Sequence, residues 1–92
     1  MSSQLKKRLK NRITQVLNEK AKVRIGKNGV TPAIITEIDN QLAIHGLIKV
    51  RFLNNYVTEN LDEDIKSIVK KTISQLVDKR GKVILLYKPM EE

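Results

Sequence analysis

The apolar positions along the chain fall into runs with two distinct periods. Leu5, Leu9, Ile13, Val16 and Leu17 share one helical stripe, which predicts a helix over about residues 4–18. The other faces of that helix carry Lys6, Lys7, Arg8, Lys10 and Arg12. Val23-Arg24-Ile25 alternates, is β-branched and predicts a short strand. Ile34, Ile35, Ile38 and Leu42 return to the helical period. Thr31 is placed to cap this second helix and Pro32 to open its first turn, while Val30 and Ile35 have the spacing of a hydrophobic staple. His45-Gly46 ends it, since a glycine just past the last turn suits a left-handed conformation. Leu47–Leu53 alternates again, with Ile48, Val50 and Phe52 on one face and Lys49 and Arg51 on the other. That predicts a strand buried on one side and cationic on the other. Asn54-Asn55 breaks it.

Asn60 and Glu63 are spaced as a capping pair for a third helix. Asp62, Glu63 and Asp64 in its first turn, and Lys70 and Lys71 near its end, match the helix dipole. The next stretch fits two readings. Ile65, Ile68, Val69, Leu76 and Val77 continue one helical stripe to Asp78; alternatively the helix ends near Thr72, and Ile73–Asp78 is a strand turning through Lys79-Arg80-Gly81. Val83–Tyr87 is a strand in either case, closed by Pro89. The order α-β-α-β-α-(β)-β predicts an α/β sandwich.

Length and composition narrow what such a sandwich can do. Ninety-two residues predict one domain, spanning 1–92, with a modest core. No cysteine is present, which excludes disulfides and thiolate-ligated metals, and one histidine cannot build a metal site alone. We therefore expect no metal and no cofactor. The longest apolar run, Val83–Tyr87, is far short of a membrane span, and the polar N-terminus does not read as a signal peptide, so the expected compartment is the cytoplasm. Asp62, Glu63 and Asp64 are successive on a helix and do not face one another, and no nucleophile–base–orienter set can be assembled. No catalytic residue is expected.

The charge is informative because it is uneven. The formal net charge is +8; residues 1–27 hold nine Lys/Arg against Glu19 alone, and residues 28–92 are balanced at nine against nine. Concentrated positive charge predicts a polyanionic partner, nucleic acid before acidic membrane. No Trp or Phe anchors the apolar side of the first helix, which argues against a membrane surface. At the end of this basic segment a strand delivers the chain to Gly26-Lys27-Asn28-Gly29, and a helix starts immediately afterwards. Two glycines let a backbone approach closely, Lys27 and Asn28 would project outward, and a helix N-terminus favours an anion. The same four residues also read as an ordinary strand-to-helix turn. They are neither a nucleoside-triphosphate loop nor a dinucleotide fingerprint, because GxxxxGK[ST] and the third glycine are missing.

Gly26-Lys27-Asn28-Gly29 after a basic strand, Glu37-Ile38-Asp39, His45-Gly46-Leu47-Ile48-Lys49-Val50 and Leu86-Tyr87-Lys88-Pro89 together resemble the CRM domain, for chloroplast RNA splicing and ribosome maturation. The likeness is to its small stand-alone YhbY-like form and runs from about Leu5 to Pro89. It implies a two-layer α-β-α-β-α-β-β sandwich with a mixed four-stranded sheet, similar to the C-terminal domain of translation initiation factor three. It also implies a third helix ending near Thr72 and a closing β-hairpin. The family commonly has a glycine where this chain has Ile73. The resemblance implies an RNA-binding protein that associates with ribosomal RNA or precursor large-subunit particles, with the GxxG loop facing RNA.

The expected RNA contacts are Gly26, Lys27, Asn28 and Gly29, then Lys20, Lys22 and Arg24, then Lys6, Lys7 and Lys10 on the first helix, and Lys49 and Arg51 on the second strand. With only Phe52, Tyr56 and Tyr87 as aromatics, base-stacking platforms are few, which points to backbone and shape recognition of folded or double-stranded RNA. A monomer is expected. The rival readings are a small DNA-binding protein of Alba type, a KH-type module, and a basic protein-interaction subunit. The KH loop joins two helices and has an Ile three residues after its second glycine, where this chain has Pro32.

Overall fold

The second and third helices begin where their caps dictate. In the computed structural model, which describes residues 3–89 and side chains from Arg8 onward, the order is α1 (Ser3–Leu17), β1 (Val23–Ile25), α2 (Pro32–His45), β2 (Leu47–Phe52), α3 (Leu61–Thr72), β3 (Gln75–Arg80) and β4 (Val83–Tyr87). The Thr31 hydroxyl accepts from the Ile34 amide at 3.2 Å, with Pro32 in the first turn of α2. The Asn60 side chain accepts from the Glu63 amide at 3.2 Å at the start of α3. Each cap satisfies an amide that the helix itself cannot.

The far ends of the helices are closed by cations from other elements. Lys49 of β2 donates to the Leu17 and Glu19 carbonyls after α1, both at 3.0 Å. Arg12 of α1 donates to the His45 carbonyl at the end of α2, at 2.7 Å. Lys88, after β4, donates to the Thr72 carbonyl at the end of α3, at 3.2 Å. A cation at a helix C-terminus meets both the orphan carbonyls and the negative end of the dipole.

The third helix stops at Thr72 by a paired hydrogen-bond ending: Ser74 N–H donates to Val69 and Ile73 N–H to Lys70, at 3.1 and 3.4 Å. That ending places Ile73 in the left-handed region, at φ 51, the one non-glycine residue there among the described residues. The position is sterically costly for a β-branched side chain, and a glycine would hold it without that cost. Ile73 is 78% exposed, so packing does not compensate.

The strands form one sheet in the order β1-β2-β4-β3, with β1 parallel to β2 and the other neighbours antiparallel. The closing hairpin is therefore present, but its boundary differs from the expected one. Lys79 and Arg80 belong to β3, and the turn is the two residues Gly81-Lys82. Gly81, at φ 59, occupies the first central position, where a tight hairpin turn needs positive φ.

Cross-strand partners share a face of the sheet. Val23, Ile25, Ile48, Val50, Phe52, Ile84 and Leu86 make one face, and with Ile38, Leu42, Ile65 and Ile68 of α2 and α3 they form the core. The opposite face carries Arg24, Leu47, Lys49, Arg51, Val83 and Leu85. Helix α1 lies against this second face at β2, where Leu47 and Leu85 are buried. Its stripe residues Leu9, Ile13, Val16 and Leu17 are each half-buried.

Candidate nucleic-acid interface

The Gly26–Gly29 segment closes as a tight turn, with the Gly29 amide donating to the Gly26 carbonyl at 2.9 Å. Lys27 and Asn28, at its tip, are exposed. Gly26 sits at a close approach: a Cβ there would lie 3.2 Å from Asn55 Oδ1 and 3.4 Å from Leu53 Cδ1, so the Asn55 side chain would have to give by a few tenths of an ångström. The Leu53 amide donates to Ile25 at 2.8 Å, so the segment after β2 is held beside the turn. Tyr56 supports it from behind. Its ring lies 5.1 Å from that of Phe52, and its hydroxyl donates to Asp64 at 2.6 Å; the Thr58 hydroxyl donates to the same carboxylate. Burial, then the hydrogen bond and charge of Asp64, push the Tyr56 phenol up to about 12.

The helix behind the turn has little to offer an anion. Pro32 has no N–H, the Ile34 amide is taken by the Thr31 hydroxyl, and the Ile35 amide by the Thr31 carbonyl. In the first turn of α2, the Ala33 amide has no partner among the described residues. Side chains, more than the helix terminus, must supply the positive field.

They are gathered just below the turn. Arg24 and Arg51 are direct cross-strand partners on the second face of the sheet, and both are exposed. They lie about 7 Å along the strands from the Gly26–Leu53 level, at about 3.3 Å per residue. With Asn18, Glu19, Lys20 and Lys49 they line a cleft between the α1–β1 connection and the sheet. A second cleft on the other side of that connection is lined by Arg12, Lys20, Lys22 and His45. The structure thus places Lys20, Lys22, Arg24 and Arg51 around the α1–β1 connection, with Lys27 and Asn28 exposed in the turn that follows β1. Lys10 is exposed on α1; the side chains of Lys6 and Lys7 lie outside the described residues. Lys49 shares the face, but its amine is engaged by the carbonyls of Leu17, the last residue of α1, and Glu19 just after it, so it holds the end of the helix onto the sheet.

Two cations that the sequence did not single out also reach this region. Arg80 pairs across the sheet with Val83, and Lys82 in the hairpin turn donates to Asn54 Oδ1 at 3.4 Å. Reading Lys79-Arg80-Gly81 as a turn hid Arg80, because a turn residue has no assigned face.

None of the three aromatic residues is exposed: Phe52 is in the core, and Tyr56 and Tyr87 are half-buried. Among the described residues no group of three or more potential metal ligands occurs, and no helix is long and apolar enough to cross a membrane.

Comparison with known proteins gives consistent matches. The family model for the CRS1 / YhbY (CRM) domain matches residues 1–88. A Haemophilus influenzae protein named as an RNA-binding protein is 37% identical over 70 residues, which is 76% of this chain and 70% of that protein. The "Probable RNA-binding protein YqeI" of Bacillus subtilis is 38% identical over 69 residues, 75% of this chain and 71% of its own. A solution structure from Staphylococcus aureus, described as a candidate RNA-binding protein, superposes with a TM-score of 0.71 at 30% identity, covering 87% of this chain and 82% of that one.

Proposed function

Since the chain belongs to the CRS1 / YhbY (CRM) domain family, we propose that it is an RNA-binding protein without enzymatic activity. The RNA is ribosomal RNA or a precursor large-subunit particle, and the contact is made with its sugar-phosphate backbone. The single observation that carries the reading is the Arg24–Arg51 pair, exposed on the sheet directly below the exposed Lys27-Asn28 tip of a glycine turn. Guanidinium groups bind phosphate oxygens by paired N–H donors, and a turn with glycine at both ends lets a backbone lie close. The lack of an exposed aromatic supports backbone recognition of folded RNA over base stacking on a single strand.

The test is a titration of structured ribosomal RNA at several salt concentrations. If about six phosphates are engaged, affinity falls about a thousandfold between roughly 50 and 200 mM salt. A salt-insensitive interaction would exclude this mechanism. The Lys27→Asp, Asn28→Asp double variant keeps its fold by circular dichroism and binds more weakly; unchanged binding would remove the turn from the interface. Co-sedimentation with precursor ribosomal particles, and competition between structured RNA and duplex DNA at matched salt, test the identity of the partner.

A further inference from the structure

The register of β3 carries an inference beyond the glycine turn. Leu76 pairs with Leu86, yet Asp78 pairs with Leu85, so β3 has one extra residue, Val77, at a β-bulge. Without it the alternation would put Asp78 and Arg80 on the core face and Val77 and Lys79 on the other. The bulge reverses this. Arg80 becomes the partner of Val83, and Lys79 turns towards α3, where its amine lies 3.4 Å from Asp62. Bulges commonly re-aim a side chain in this way.

The consequence is a complete cross-strand row on the second face of the sheet. In strand order it reads Arg24, Arg51, Val83, Arg80. It spans three inter-strand steps, about 14 Å, and three of its four positions are arginine. Arg80 is 69% exposed at its side chain. Its Nε donates to Asp78 Oδ2 at 3.0 Å, and among the described residues its two terminal nitrogens have no hydrogen-bond partner. The row ends beside the hairpin turn, where Lys82 is tied to Asn54; the neighbouring Asn55 abuts Gly26. The hairpin, the segment after β2 and the glycine turn therefore form one rim at the same end of the sheet.

We infer that the β3–β4 hairpin, through Arg80 and Lys82, is a second RNA contact, so that a duplex strand runs across the sheet from the glycine turn to the far edge, its phosphates following the arginine row. The inference rests on the RNA-binding reading above and adds to it a direction and a second anchor. Val83, half-buried between Arg51 and Arg80, keeps the row low enough for a backbone to cross.

The experiment uses the whole chain and a synthetic RNA hairpin with an uninterrupted duplex stem. The Arg80→Gln, Lys82→Gln double variant replaces two exposed side chains, and thermal melting checks that its fold is kept. Loss of two phosphate contacts lowers the magnitude of the slope of log affinity against log salt by about two, with affinity weaker by about ten- to a hundredfold near 0.1 M salt. In the unaltered protein, amide resonances of residues 80–83 shift on titration with the same hairpin. An unchanged slope and unshifted resonances, in a protein whose Lys27→Asp, Asn28→Asp variant loses binding, would overturn the hairpin contact and leave the turn contact standing. A wild-type chain that binds no RNA overturns both.

Discussion

On the face of the sheet beneath α2 and α3 stand Ile25, Ile48, Val50, Phe52, Ile84 and Leu86; the other face presents Arg24 and Arg51, one residue away on β1 and β2, and Arg80 on β3. The first set is almost wholly withdrawn from water, and the second is exposed. Between them lies Lys49, on the cationic face by alternation but spent on the carbonyls at the end of α1. The comparison teaches that fold stability and the proposed RNA contact reside on different side chains of the same strands. Each can be altered while the other is read.

The largest effect is expected on the dry face. Phe52→Ala removes the largest fully buried side chain and the ring against which Tyr56 packs, and should cost about 3–5 kcal/mol in chemical denaturation. That is a large part of the stability of a small domain. A cost below about 1 kcal/mol would mean that this face is not the core.

The wet face should respond in the opposite way. Arg24→Gln with Arg51→Gln should leave stability within about 0.5 kcal/mol, because both residues are exposed. RNA affinity should fall about ten- to a hundredfold, as expected when two charge-assisted contacts are lost. Equal affinity for variant and wild type would break the division between the faces.

Lys49→Met sharpens the boundary. It removes the two hydrogen bonds that hold the end of α1, and should lower stability by about 1–2 kcal/mol with little change in the salt dependence of RNA binding. If the salt slope fell as it does for the arginines, the amine would have to leave the helix for the RNA.

Ile73→Gly should raise the melting temperature, by a stabilisation of about 1 kcal/mol, since glycine relieves the positive φ and little packing is lost.

The smallest effect at neutral pH is that of Tyr56→Phe, which loses one hydrogen bond. Its signature is in alkali. The phenol titrates near 10 when unfolded and near 12 when folded, so the stability it contributes is full below pH 10 and is lost as pH rises towards 12. The variant lacks this titration, and its stability should fall less steeply over that window in denaturation at a series of pH values.

Much of this was legible in the residues before any coordinates. The caps at Thr31 and Asn60, the glycine ending α2 and the alternation in β2 are local signals, each decided by a few neighbouring side chains and the backbone groups they satisfy. The exposed turn tip at Lys27-Asn28 and the basic first third of the chain were equally plain, since charge and loop composition are read one residue at a time. The hairpin was less so. Its turn is two residues long, and Lys79 and Arg80 look like turn residues by composition but pair as strand.

By itself, then, the sequence determined which segments before Ile73 and after Gly81 are helix or strand, which faces are apolar there, and where the charge lies, because periodicity and capping act over one or two turns of chain; the stretch between stayed open. Only the tertiary structure decided which cations share a surface. That depends on strand order, on the bulge at Val77, which swaps the faces of everything after it in β3, and on whether a long-range carbonyl captures a lysine. A one-residue change in register moves every later side chain to the opposite face, and the partner strand fixes that register.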